Sequence, residues 1–263
     1  MTGAVDTGLT TADGLRLAAR WHRPAPALSG SDGVGVVVVH GFCAGQDVPD
    51  VRAVAARLVD AGHPVLTFDL RGHGRSEGEC TLGWRERFDV DAAVAAARAD
   101  HDVVVVVGAS MGGIAVLDHL ATAAGGPTGA EADAAVTVAT PAGWGVPRNV
   151  TGVMAVFATQ TPPGRALLAR RTGTRVAVRP PRGAPPVERI RLVRRPVAVV
   201  HGLADRFIAP AAAHALYAAA PEPRRLALVP GMGHGYTRAA VPAVAEAVAW
   251  ALGAVSPTPE PGP

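Results

Sequence analysis

The sequence has no lysine: all 25 of its basic residues are arginine, set against 22 acids, so the formal charge is only +3. In a chain this rich in Ala, Gly, Val and Pro, an arginine-only basicity reads as a bias towards GC-rich codons. Aromatics are scarce (4%), and no basic stripe is interleaved with them, which argues against a nucleic-acid partner. There are two cysteines, Cys43 and Cys80, too few for a disulfide framework and without metal-ligand spacing to each other or to a histidine. A reducing cytoplasm and no bound metal are therefore expected. No apolar run is long enough to span a bilayer. The opening residues MTGAVDTGLTTADG carry neither a basic nor an apolar leader segment, so no secretory signal is expected.

What the sequence does have is apolar character in short runs: 49% of its 263 residues are hydrophobic and 18% charged, a globular composition with enough chain to bury a sizeable core. The organising stretch is Val103–Gly113, VVVVVGASMGG. Five consecutive β-branched residues suit a strand buried on both faces of a parallel sheet. The run ends in Gly108-Ala109-Ser110-Met111-Gly112, a Gly-x-Ser-x-Gly pattern, and a helix-compatible segment follows from Gly113 to about Ala124. Glycines on either side let a strand turn into a helix almost on the spot, which holds the intervening serine in a strained conformation at the carboxyl end of the sheet. The helix N-terminus beneath it favours developing negative charge.

Along the chain, a strand pair is expected over Leu9–Trp21, turning at Ala12-Asp13-Gly14. Further strands are expected at Val34–Val39, Pro64–Phe68, Ala134–Ala139, Pro196–Val200 and Leu226–Val229. Helical spacing marks Asp47–Ala61, Leu82–Ala99, Pro210–Ala220 and Pro242–Leu252. This alternation predicts an α/β fold, a mostly parallel doubly wound sheet with helices on both faces. The segment 141–195 interrupts the alternation and reads as a lid inserted into a core made of 1–140 and 196–255; the proline-rich tail 256–263 is expected to be disordered.

A serine hydroxyl needs a base to remove its proton, and that base needs a partner to fix its tautomer. Two later strand ends supply them. Pro196–Val200 runs into HGLAD, placing Asp205 just beyond the strand, and Leu226–Val229 runs into PGMGHG, placing His234 on a glycine-rich loop. The chain order Ser110, Asp205, His234 suits this architecture. Two backbone donors for an oxyanion are the amide of Met111, directly after the serine, and the amide of Phe42 in the His40-Gly41-Phe42 loop after the strand Val34–Val39.

With HGF at 40–42, DLRGHGRSEG at 69–78, GASMGG at 108–113, HGLAD at 201–205 and GMGHG at 231–235, the chain resembles the α/β-hydrolase superfamily, in its serine-dependent esterase and lysophospholipase-like branch. The resemblance runs from about Leu9 to Leu252 outside the insertion. It implies Ser110 as nucleophile, His234 as base, Asp205 as its acid, Phe42 and Met111 as oxyanion donors, and a cap inserted at 141–195. It implies no cofactor. The expected reaction is hydrolysis of a carboxylic ester or thioester. The alternatives are acyl transfer or cyclisation from the same acyl-enzyme, and a non-catalytic ligand-binding scaffold.

His40 and His201 precede glycines at strand ends and read as loop-shaping residues, and Cys43 reads as packing. Met154, Phe157, Leu167 and Leu168 are candidates for lining an acyl pocket, or else for seating the lid on the core. Between Gly164 and Arg195 ten arginines, among them Arg179 and Arg182, face the single acid Glu188. They read as a solvated face, or else as a recruiter of an anionic or carrier-bound acyl substrate.

Overall fold

The computed structural model describes residues 3–25, 33–122, 127–145, 150–178 and 183–255. The expected disordered tail, Arg179 and Arg182 lie outside them. Eight strands form one sheet: β1 Ala4–Thr10, β2 Arg16–His22, β3 Val34–Val39, β4 Val65–Phe68, β5 Val103–Ala109, β6 Ala134–Val138, β7 Val197–Gly202 and β8 Arg224–Val229. Their spatial order is β1-β2-β4-β3-β5-β6-β7-β8. β2 runs antiparallel to both β1 and β4, and every pairing from β4 through β8 is parallel.

The valine runs explain why the sheet is covered on both sides. Successive strand side chains point to opposite faces. Val104 and Val106 join a core under α2 (Arg87–Arg98) and α3 (Met111–Ala121), while Val105 and Val107 join a second core under α1 (Pro49–Asp60) and α8 (Ala240–Val255). Each of these valines is fully buried, worth about 1.5–3 kcal/mol apiece in transfer free energy, so an arrangement that left either face in solvent could not compete.

Between β6 and β7 lie helices α4 (Val150–Gln160), α5 (Pro162–Thr172) and the short α6 (Pro186–Arg189); α7 (Ala211–Ala219) follows β7. Strand and helix positions follow the sequence pattern with two shifts: the strand pair expected from Leu9 begins at Ala4, and α2 begins at Arg87 and not at Leu82. Leu82 and Gly83 both have positive φ, 61° and 101°, which no helix tolerates. The Glu86 carboxylate stabilises that turn by accepting from Thr81 N, Thr81 Oγ1 and Gly83 N. A local tie of this kind competes with helix formation and here wins.

Candidate active site

The parallel register brings the carboxyl ends of β3, β5, β6, β7 and β8 to one edge. Val39 pairs with Gly108, Ala109 with Val138 and Gly202 with Val229. Ser110 follows β5 directly, with φ 50° and ψ −113°, before α3 starts at Met111. Such a conformation is disfavoured for a residue with a Cβ and persists only where surroundings over-determine it. Here the Ser110 amide donates to Val138 O at 2.8 Å and its carbonyl accepts the Ile114 amide at 3.2 Å. The helix also crosses close beneath: a Cβ on Gly112 would lie 2.4 Å from the His40 carbonyl oxygen, so no larger residue fits.

His234 arrives on the loop after β8. Its Nε2 lies 2.9 Å from Ser110 Oγ and its Nδ1 2.8 Å from Asp205 Oδ2. An ionised carboxylate only accepts, so the bond network assigns the proton to Nδ1 and leaves Nε2 to accept from the serine hydroxyl. Asp205 is buried, and its other oxygen, Oδ1, accepts from the amides of Phe207 and Ile208 at 2.8 and 2.9 Å. Burial by itself raises this carboxyl's pKa, but the hydrogen bond from His234 and those two amides outweigh it and hold it below its ordinary value.

The His40–Cys43 loop lies against the serine: a Cβ on Gly41 would be 3.4 Å from Ser110 Cβ. As the first residue of α3, Met111 has an N–H with no acceptor inside the helix. Phe42 follows Gly41 and packs its ring edge-to-face on His73. The loop is sutured to the 69–78 turn by two buried histidines. His40 Nε2 accepts the Leu70 amide at 3.0 Å, and His73 Nε2 accepts the Cys43 amide at 3.3 Å. Both rings are therefore neutral, and burial pushes each down to about 4. His201 is also buried, with Nε2 donating to Ile208 O at 3.0 Å, so it shapes the Asp205 loop. Cys43 and Cys80 are both free thiols, and burial raises each.

Two contacts had no clear sequence signal. The buried Tyr236 hydroxyl lies 3.1 Å from Val39 O and 2.9 Å from Val107 O, tying the His234 loop to the ends of β3 and β5. Phe207 packs its ring on His234 with centroids 5.0 Å apart. An aromatic two residues beyond a histidine on a glycine-rich loop was the only hint of the former.

Of the candidate pocket residues, Leu168 packs on the core, whereas Met154 and Phe157 are exposed. A cavity of about 480 Å³ adjoins Asp205, lined by Pro141, Ala142, Gly143, Phe207, Ile208 and Ala212. A larger one, about 600 Å³, lies by Thr122, Glu131 and Arg195 at the amino ends of β6 and β7, away from Ser110. Among the described residues no group of His, Cys, Asp and Glu could hold a metal ion. No helix among them is long and apolar enough to cross a membrane.

An eight-stranded sheet of this order, with a strained serine after the central strand linked to a histidine and a buried acid, defines an α/β-hydrolase architecture. The model of the alpha/beta hydrolase family matches residues 36–247, and the chain belongs to that family. It is 30% identical over 235 residues to an uncharacterized protein of Mycobacterium tuberculosis, covering 87% of this chain and 72% of that one. Among solved structures it is similar to the Pyrococcus furiosus esterase Pf2001, with TM-score 0.70, 20% identity, and 96% and 92% of the two chains covered. It is also similar to XC6422 of Xanthomonas campestris, described as an α/β serine hydrolase without lid, with TM-score 0.64, 19% identity, and 95% and 93% covered. At these identities the structural likeness concerns the fold.

Proposed function

We propose that this chain is a serine hydrolase that cleaves a carboxylic ester or thioester through an acyl-enzyme on Ser110. The observation that carries this reading is the continuous relay from Ser110 Oγ through His234 to Asp205, with bonds of 2.9 and 2.8 Å. Ser110 Oγ attacks the substrate carbonyl carbon as its proton passes to His234 Nε2. The oxyanion takes hydrogen bonds from the Phe42 and Met111 amides, fixed donors that need no reorganisation as charge develops. His234 then returns its proton to the departing alcohol or thiol, leaving the acyl group on Ser110. Water gives a proton to His234 Nε2, attacks the acyl carbon, and Ser110 leaves carrying that proton. Asp205 stays ionised throughout and holds the imidazole in the reactive tautomer.

The segment 141–195 acts in this reading as a cap. It departs where β6 ends, beside Ser110, is cross-linked within itself by Val187 N donating to Ala142 O at 3.0 Å and Trp144 Nε1 to Gly183 O at 2.9 Å, and is tied to the core by Arg175 N donating to Gly72 O at 2.8 Å and Ala177 N to Cys80 O at 3.0 Å. The cavity beside Asp205 and Phe207 is the proposed acyl or leaving-group subsite.

Intact-mass measurement after treatment with a fluorophosphonate tests the reading. A single adduct on the wild type, absent from Ser110→Ala, is expected. A folded wild type that takes no adduct would overturn it in favour of a ligand-binding scaffold. Adduct formation followed by transfer to an added amine in preference to water would favour acyl transfer.

A further inference from the structure

Helices α4 and α5 form a hairpin that packs chiefly on itself. Thr161 caps α5 by accepting from the Gly164 amide at 3.1 Å, and the helices meet so closely that a Cβ on Gly164 would lie 2.0 Å from Phe157 O. Leu168 seats the pair on the core, leaving the outer side open. That side is apolar: Val153 is 66% exposed, Met154 64%, Leu167 50% and Phe157 45%. Soluble helices ordinarily turn such residues inwards, so a cluster facing outwards marks a contact surface.

The charge on the hairpin is of one sign. Residues 150–172 contain Arg165, Arg170 and Arg171 and no acid, and no Asp or Glu occurs between Asp133 and Glu188. Outside the hairpin, 22 arginines balance 22 acids, so these three account for the whole formal charge of +3. Arg170 and Arg171 lie exposed in the last turn of α5.

Exposed apolar side chains on α4, and exposed arginines with no ion pair among the described residues on the α5 packed against it, match the composition of a segment that lies in the interface of an anionic lipid layer. The apolar side chains enter the acyl boundary and the arginines pair with headgroup phosphates. We propose that the α4–α5 hairpin docks this protein on an anionic lipid surface. A second copy of the chain would bring like charges together across the same face, which disfavours self-association there. An acidic protein would satisfy the arginines without requiring the exposed Val153 and Met154. The hairpin belongs to the segment that follows β6, whose end adjoins Ser110. Lipid binding itself does not depend on the proposed hydrolysis.

The test is co-sedimentation of the full chain with phosphatidylcholine vesicles, with and without phosphatidylglycerol. Binding is expected only with the anionic lipid and should weaken with added salt. Reversing both charges in Arg170→Glu/Arg171→Glu should lower partitioning at least about tenfold. Met154→Asp/Phe157→Asp should do the same by about tenfold, because it places carboxylates in the inserted face. All four side chains are exposed, and circular dichroism with thermal melts verifies that the variants fold. The proposal is overturned if the folded wild type ignores anionic vesicles. Loss of binding in the arginine pair alone, with the Met154/Phe157 pair unaffected, overturns insertion in favour of surface adsorption. A dimer in sedimentation velocity that Met154→Asp/Phe157→Asp dissociates, without vesicle binding, overturns it in favour of self-association.

Discussion

Asp205 divides its carboxylate between two tasks: Oδ2 lies 2.8 Å from His234 Nδ1, while Oδ1 accepts the amides of the loop that follows. The acid that orients the ring is thereby itself immobilised by backbone. This predicts that Asp205→Asn keeps the loop, since the amide oxygen can still accept at the Oδ1 position. Its NH₂ group would face Nδ1, force the other tautomer, and present an N–H to Ser110. A fall in kcat of roughly 10³–10⁴ is expected with little change in KM or melting temperature. Steady-state kinetics and a thermal melt check this; an unfolded variant, or an unaffected kcat, would contradict it.

The same relay dictates a pH dependence. The proposed base works only while Nε2 is unprotonated, so kcat/KM should decline on the acid side as His234 takes up a proton. Asp205, held below its ordinary value, remains ionised across that limb. A profile with no acid limb would remove His234 from the proposed mechanism.

Stability has its own acid limb. Burial holds His40, His73 and His119 down at about 4, against 6.5 for the free side chain. The unfolded chain binds more of these protons than the folded one between the two values, so the histidines' contribution to stability is complete above about pH 6.5 and is lost as pH falls towards 4; the buried Asp89 carboxyl, pushed up to about 7, opposes it in the same window. Urea unfolding at a series of pH values measures the slope. It should flatten in His119→Gln, which removes one of these titrations, and an unchanged slope would count against this origin.

Arg71 is buried, and its guanidinium reaches both Asp89, at 2.7 Å, and Asp13, at 2.7 Å. Arg71→Met should cost about 3–5 kcal/mol by stranding Asp89 without a counter-ion. Asp13 is partly exposed; its hydrogen bond with Arg71 depresses its carboxyl to about 2 from 3.8. Its stabilisation is present above about pH 4 and disappears as pH falls through 2. Asp13→Asn should therefore cost only about 1 kcal/mol at neutral pH after solvent screening, and nothing near pH 2. Denaturant unfolding of both variants distinguishes the two costs.

Tyr236 ties the His234 loop to carbonyls of two central strands. Tyr236→Phe leaves buried oxygens short of a donor, an expected cost of about 1–2 kcal/mol. Because the loop also carries His234, kcat should fall while KM holds. Loss of stability with unaltered kcat would mean that the hydroxyl serves the fold alone.

The layered sheet is legible in the residues alone, because runs such as Val103–Val107 can be buried only between two helical layers, and their spacing leaves room for one helix between strands. It is equally legible that Ser110, Asp205 and His234 fall just beyond strands, since each sits one to five residues past an apolar run that ends in glycine or proline chemistry. What those residues touch is set by how the loops pack in space. The hydroxyl of Tyr236 finds Val39 O across 197 residues of sequence, and the Cys43 amide finds His73 across 30. Contacts this distant leave no periodic trace, because they depend on which loops the parallel register brings to one edge. The outward turn of Met154 and Phe157 was equally hidden. An apolar helix reads the same whether its face meets a core or the surroundings, and only the placement of α4 on α5 decides between them.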